Sequence, residues 1–140
     1  MQFKQSKARD FSLKFLYQCE VEKVYFFPET KFKNFVNHLK VRSDVEPFLT
    51  SLVKGVLDTL EELDKEIVQT STNWSLERIA ILDKIILRLA IYELLKTDTP
   101  TKVVLNEAIE LAKHYGTEHS SKFINGILDS VAKKLRTSST

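Results

Sequence analysis

The chain has 140 residues, a formal net charge of +2 and only three glycines and three prolines, a composition that favours one helical domain. The single cysteine, Cys19, excludes an internal disulfide, suits a reducing compartment and is expected to be a small core residue. Charged residues interrupt the longest apolar tract and no signal peptide is found, so we expect a soluble cytoplasmic protein.

The charge is distributed unevenly along the chain. Residues 1–42 hold nine Lys/Arg against four Asp/Glu, a balance of +5, whereas residues 43–66 hold two against seven, a balance of −5. A basic section attracts polyanions and an acidic section attracts basic partners, although ordinary solvated helix surface gives the same pattern.

Apolar periodicity predicts six to seven helices and no strand. The first runs from about Lys4 to Val24 and is ended by Tyr25–Pro28, since proline disfavours helix in the residue before it. A short helix is predicted around Lys31 to Leu39.

The next helical pattern begins at Phe48, and its apolar residues recur at helical spacing as far as Ile67. Ser43 or Asp44 can cap this helix, with Pro47 in its first turn.

The second half is divided, in order, into a break at Asn73–Ser75, a central helix to about Lys96, a loop at Thr97–Thr101, a helix to Tyr115, a last helix from Thr117 or Ser120, and a frayed tail at Thr137–Thr140. The central helix is apolar on nearly all sides, so it must be buried. Ser75 is expected to cap it, and Gly116 is expected to close the following helix in the left-handed conformation.

The sequence contains no catalytic or metal-binding motif. His38, His114 and His119 lack the spacing of metal ligands, and neither H-E-x-x-H nor C-x-x-C nor a glycine-rich phosphate-binding motif occurs. We therefore predict no enzyme, no metal and no cofactor.

Three blocks in the second half combine helical spacing with polar residues that a plain bundle does not need. They read L-R-L-A-I-Y-E-L (Leu87 to Leu94), N-E-A-I-E-L-A-K-H-Y-G (Asn106 to Gly116) and K-F-I-N-G-I-L-D (Lys122 to Asp129). In this order they resemble the NusB family of bacterial transcription antitermination factors. The resemblance implies an all-α fold of about seven helices in two subdomains sharing one core, approximately residues 1–72 and 73–140.

The first helix carries the first predicted RNA-binding group. Lys7 and Lys14 lie two turns apart on one face, with Lys4, Arg9 and Tyr17 nearby. Lysines can neutralise phosphates and a tyrosine can stack an unpaired base, although Tyr17 can equally shield the core. The family usually carries a denser arginine run where this chain has residues 4–7, and lysine lacks the planar fork of arginine.

A second basic group lies at the turn into the last helix and contains Lys113, His114, His119 and Lys122. Free amides at the start of that helix favour an anion. The resemblance implies that this turn and Lys122–Phe123 contact RNA, and that His119 stands where relatives carry an acid. Core packing is the alternative for Phe123, which begins an apolar stripe.

Five polar residues on the central and later helices need partners if they are buried. We expect most of them to join the two subdomains through hydrogen bonds or ion pairs: Arg88, Glu93, Asn106, Glu107 and Asn125.

The resemblance implies a non-catalytic RNA-binding factor that joins the ribosomal protein NusE and binds single-stranded boxA RNA in nascent rRNA leaders. With other Nus factors it would act on RNA polymerase indirectly and suppress termination. The predicted docking site for the basic partner is the acidic group Asp58, Glu61, Glu62 and Glu66.

Two alternatives stay open. One is a helical adaptor that binds protein without RNA. The other is the similar helical domain found fused to RNA cytosine methyltransferases, for which this chain has no methyl-donor-binding domain. Homodimerisation is also left open.

Overall fold

The computed structural model describes residues 2–71 and 75–136. Within them the chain forms no strand, which confirms the predicted all-α class with its six to seven helices. The elements are α1 (Gln2–Glu22), α2 (Glu29–His38), α3 (Glu46–Asp58), α4 (Leu60–Thr70), a 3-10 turn (Leu76–Arg78), α5 (Ile81–Lys96), α6 (Thr101–Tyr115) and α7 (Ser120–Arg136). None of these helices is long and apolar enough to cross a membrane.

The chain forms two compact units, which divide between Leu60 and Glu61. In the first unit α1 packs against α3, and in the second α5 packs against both α6 and α7. The predicted subdomain boundary at residues 72 and 73 lies outside the described residues and stays a prediction. Trp74 and the predicted tail at Thr137–Thr140 also lie outside them.

Three phenylalanine rings form a cluster in the first unit. The ring of Phe15 meets the rings of Phe32 and Phe35 edge-on, with centroids 5.2 Å and 5.0 Å apart. Such edge-to-face pairs add to the free energy gained by burying the rings. Cys19 lies in the same core, and burial raises the pKa of its thiol to about 11. It is therefore the inert core residue that the sequence predicted.

The first helix, α1, ends for a reason other than the predicted proline. The helix ends at Glu22, before the proline segment, because Lys23 adopts the left-handed conformation with φ 58°. The Val24 amide then donates to the Cys19 carbonyl at 2.8 Å, which satisfies a carbonyl that the helix leaves free.

The helical pattern from Phe48 to Ile67 is divided between two helices, α3 and α4. The break lies at Thr59, whose hydroxyl donates to the Gly55 carbonyl at 2.7 Å. Threonine side chains compete in this way with the backbone hydrogen bonds of a helix. Apolar periodicity continues through such a break and does not reveal it.

Two predicted helix caps are also wrong. The cap predicted at residues 43–44 is replaced by Val45, and no side chain caps α3. Ser75 precedes the 3-10 turn, where its carbonyl accepts from the Arg78 amide, and the residue before α5 is Ala80.

The central helix α5 is buried as predicted, with every residue from Ile85 to Ile91 inside the second unit. Arg88 within it donates two hydrogen bonds to Asp64 of α4, at 2.7 Å and 2.8 Å. Asn106 and Asn125, in contrast, are exposed. That most of the five polar residues join the subdomains stays a prediction. Amphipathic helices carry polar residues on their outer face for solvation alone.

Arg136, in the last turn of α7, closes the carboxyl end of α5, a role that the sequence did not suggest. Its guanidinium donates to four carbonyl oxygens and one hydroxyl at 2.6–3.1 Å. The acceptors are the carbonyls of Glu93, Leu94, Thr97 and Thr99 and the hydroxyl of Thr101. Two of these acceptors, Glu93 and Leu94, are in the last turn of α5, where a helix leaves carbonyls without partners further along the helix.

Candidate nucleic-acid interface

The outer face of α1 displays three lysines. Lys4, Lys7 and Lys14 are all exposed, and the side chains of Lys4 and Lys14 are 48% and 46% accessible. Lys14 pairs with Asp10 at 3.2 Å and Lys4 lies 3.9 Å from Asp44, whereas Lys7 has no ion pair within the described residues. Exposed pairs of this kind are weak, so the lysines can exchange these partners for phosphates.

Tyr17 and Arg9 lie on the same helix but in different surroundings. Tyr17 is 41% exposed, which favours base stacking over the alternative of shielding the core. Arg9 is only 4% exposed, and its guanidinium lies over the ring of Phe48 on α3, 5.5 Å from the centroid. A buried cation over an aromatic ring stabilises packing, so its predicted role in RNA binding is not favoured by its position.

The turn between α6 and α7 is closed by Ser120, whose hydroxyl accepts from the Thr117 amide at 3.0 Å. Gly116 is extended there, with φ −92° and ψ −168°, so the predicted left-handed conformation was wrong. Glycine is needed for space instead, because a Cβ at this position would lie 2.5 Å from the Ser120 hydroxyl oxygen. The turn thereby holds His119 and the first residues of α7 in one arrangement.

A cavity of about 260 Å³ lies between this turn and the start of α5. It brings together two predicted site residues, His119 and Phe123, although Lys122, Lys113 and His114 are exposed and do not line it. The full lining consists of Arg78, Ile79, Ala80, Asp83, Thr117, His119, Ser120 and Phe123.

Four of these lining residues, all from the 3-10 turn and the start of α5, were missed by the sequence analysis. Asp83 is the informative one, because its Oδ1 is shielded from solvent and has no hydrogen-bond partner in the described structure. The sequence feature that could have identified Asp83 is its position as a carboxylate inside the apolar run I-A-I-L-D-K-I-I. Arg78, on the same wall, is exposed and carries the positive charge of the cavity rim.

The predicted acidic docking group is partly engaged within the chain. Glu62 pairs with Lys96 at 3.2 Å, and Glu66 pairs with Lys134 at 2.8 Å with only 14% of its side chain exposed. Asp58 and Glu61 are exposed. Docking at Glu66 requires a partner to displace Lys134, and the docking group stays a prediction.

Among the described residues, no three His, Cys, Asp or Glu side chains come close enough to hold a metal ion. The surfaces described above offer cations, aromatic rings and hydrogen-bonding groups.

Sequence comparison relates the chain to proteins of one family. Residues 6–133 match the model of the NusB family. The transcription antitermination protein NusB of Thermodesulfovibrio yellowstonii is 40% identical over 140 residues, which cover 94% of this chain and 93% of the relative. The protein of the same description from Anaeromyxobacter sp. is 44% identical, covering 96% and 94%.

Solved structures are similar as well. Thermotoga maritima NusB superimposes with a TM-score of 0.83 at 35% identity, covering 92% of this chain and 90% of that one. A complex of the antitermination factors NusB and NusE with double-stranded RNA contains a chain that is 27% identical, with a TM-score of 0.82 and coverages of 96% and 99%.

Proposed function

The chain belongs to the NusB family of transcription antitermination proteins, which are not enzymes, and from that premise we propose that it binds a boxA-type single-stranded RNA together with NusE. The RNA would be the leader of a nascent ribosomal transcript. The observation that carries the proposal is the lysine face of α1, defined as Lys4, Lys7 and Lys14, with Tyr17 exposed beside it.

Recruitment is the proposed mechanism. The RNA stays tethered to the polymerase that made it, so two modest affinities, for RNA and for NusE, suffice to hold the factor nearby at high effective concentration. Other Nus factors and the polymerase are then contacted indirectly, and termination is suppressed in the cytoplasm. Asp58 and Glu61, which are exposed, are the part of the acidic docking group best placed for the basic NusE.

The proposal is tested by the salt dependence of RNA binding. Neutralising Z phosphates of a single strand gives a log–log slope of about −0.7Z. The Lys4→Gln/Lys7→Gln/Lys14→Gln variant should therefore bind a boxA oligonucleotide more weakly, with a slope shallower by about 2. Fluorescence anisotropy with NusE present, at several salt concentrations, measures both.

A matched control removes the same charge from exposed lysines on other helices: Lys33→Gln/Lys65→Gln/Lys102→Gln. This control should keep the slope of the parent protein. Equal slopes for the two variants would move the site away from α1. Equal affinity for a single strand and for the matching duplex would contradict the single-stranded ligand.

The adaptor alternative predicts a different outcome. In that case NusE binds and no RNA of any sequence changes the anisotropy at low salt, even in a folded sample.

A further inference from the structure

The last helix, α7, contains the one asparagine–glycine pair of the chain, Asn125–Gly126. The other asparagines are each followed by a residue with a larger side chain: Phe35, His38, Trp74 and Glu107. A side chain on the following residue hinders its backbone nitrogen from attacking the asparagine amide, and glycine has no side chain. The sequence therefore concentrates the chemistry of deamidation at one position.

Both members of this pair lie on the outer face of α7. Asn125 and Gly126 are exposed, and the Asn125 side chain has no hydrogen bond to the described residues. A Cβ added at Gly126 would meet none of the described atoms within 4 Å, so packing does not require glycine there. Glycine also makes a helix less stable than alanine does. The pair is thus open to water and costs the helix stability.

The helical backbone opposes the reaction that the sequence permits. In α7 the helix pattern pairs the Gly126 amide with the Lys122 carbonyl, so the attacking nitrogen is already engaged. Closing a five-membered ring also requires Asn125 to leave helical dihedral angles. Ile124 and Leu128 of the same helix are fully buried, so opening α7 here exposes the core of the second unit. Folding therefore protects Asn125 as long as α7 stays closed.

We propose that Asn125–Gly126 is a deamidation site that the folded α7 holds closed and that opening of α7 releases. In the opened helix the Gly126 nitrogen forms a bond to Cγ of Asn125. The Cγ–Nδ2 bond breaks, and ammonia leaves with the proton of the Gly126 amide. Water then adds to either carbonyl of the resulting succinimide and opens it to aspartate or to isoaspartate.

The two products differ in their effect on α7. Aspartate at position 125 places a carboxylate one turn before Asp129, and like charges at this spacing weaken a helix slightly. Isoaspartate carries the main chain through its side chain, and the extra methylene group interrupts the helical hydrogen bonds. Because α7 packs against both α5 and α6, this product prevents the second unit from closing again. A transient opening thereby becomes an irreversible loss of the fold.

The experiment follows deamidation of the full chain by peptide mass spectrometry at slightly alkaline pH over a series of urea concentrations. Isoaspartate is identified by enzymatic methylation, and hydrogen exchange of the Gly126 amide is measured under the same conditions. Since one nitrogen takes part in both processes, folding should slow both by the same factor, about a thousandfold or more. In denaturing urea Asn125 should react faster than any other asparagine and yield both products.

Two variants provide matched controls in denaturing urea, where the result does not depend on whether they fold. Gly126→Ala adds a Cβ beside the amide, and its Asn125 should react no faster than Asn106, which is exposed on α6. His38→Gly is the reciprocal change, because exposed His38 follows exposed Asn37 at the end of α2. This variant should deamidate at Asn37 as fast as at Asn125.

Each part of the proposal has its own contrary result. Equal rates at Asn125 and Asn106 in denaturing urea would overturn the site, and a rate at Asn125 that does not rise with urea would overturn its control by α7. Chains with isoaspartate at position 125, separated by chromatography, should unfold at a lower temperature than the parent protein. An unchanged unfolding temperature contradicts the irreversible loss. The inference does not depend on RNA binding, so its failure leaves the proposed function intact.

Discussion

The lysine face of α1 and the cavity beside α7 are the two surfaces that contain predicted RNA-binding residues, and they are built in different ways. The lysines extend into solvent from a helix whose opposite side is in the core, so they carry charge without supporting the fold. The cavity, in contrast, is lined by residues at the starts of α5 and α7, and some of its lining residues, such as Ser120 and Ile79, are buried. Charge on the first surface can change freely, whereas changes around the cavity also affect stability.

The largest loss of stability is expected when the ion pair between Arg88 of α5 and Asp64 of α4 is removed. In Arg88→Ala the Asp64 carboxylate loses a bidentate partner whose side chain is only 6% exposed, so the free energy of unfolding should fall by about 3 kcal/mol. Urea unfolding followed by circular dichroism measures the change. Lys133→Ala, which removes an exposed pair with Asp129, should change it by less than about 0.5 kcal/mol.

A smaller effect is expected from filling the space beside Ser120. In Gly116→Ala the new Cβ would lie 2.5 Å from the Ser120 hydroxyl oxygen and 2.8 Å from the Ala112 carbonyl oxygen, so the turn must shift. We expect a loss of about 1–3 kcal/mol in the free energy of unfolding, together with weaker RNA binding.

Gly126→Ala provides the matched control for that substitution. Gly126 lies inside α7, and a Cβ added there would meet nothing within 4 Å, so alanine should stabilise the helix by about 0.5–1 kcal/mol. Thermal unfolding of the two variants should give shifts of opposite sign. A stabilising Gly116→Ala would contradict the close packing of the turn.

The smallest effect is expected on the lysine face. Asp10→Asn removes the carboxylate 3.2 Å from Lys14, which should strengthen RNA binding about twofold to fivefold, equivalent to about 0.5–1 kcal/mol. Asp129→Asn alters a matching pair on α7, 3.1 Å from Lys133, and should leave affinity unchanged. Weaker binding by Asp10→Asn would mean that α1 does not face the RNA.

Local sequence signals were sufficient for the helices and insufficient for their ends. The apolar spacing of α5 and α7 predicted both helices because burial follows directly from periodicity. The break at Thr59 involves a hydrogen bond from its side-chain hydroxyl to a backbone carbonyl, and the turn at Lys23 is followed by a backbone hydrogen bond. Neither bond changes the apolar periodicity.

The candidate site was predictable only in part. His119 and Phe123 were identified through the family motif, and both line the cavity. Arg78 and Asp83 precede them by about forty residues and carry no motif of their own. Arg9 was assigned to the surface because a helix position alone does not reveal that Phe48 covers it.

The sequence by itself determined the helical class, the family and the basic character of α1, since composition, spacing and motif are properties of the linear chain. Tertiary structure alone decided which charges are available. Packing buried Arg9, engaged Glu66 with Lys134 and gave Arg136 the carbonyls at the end of α5. Among the described residues it also left the Asp83 Oδ1 without a hydrogen-bond donor. The physical reason is that a hydrogen-bonding group is defined by what lies within about 3 Å of it, and those neighbours come from distant parts of the chain.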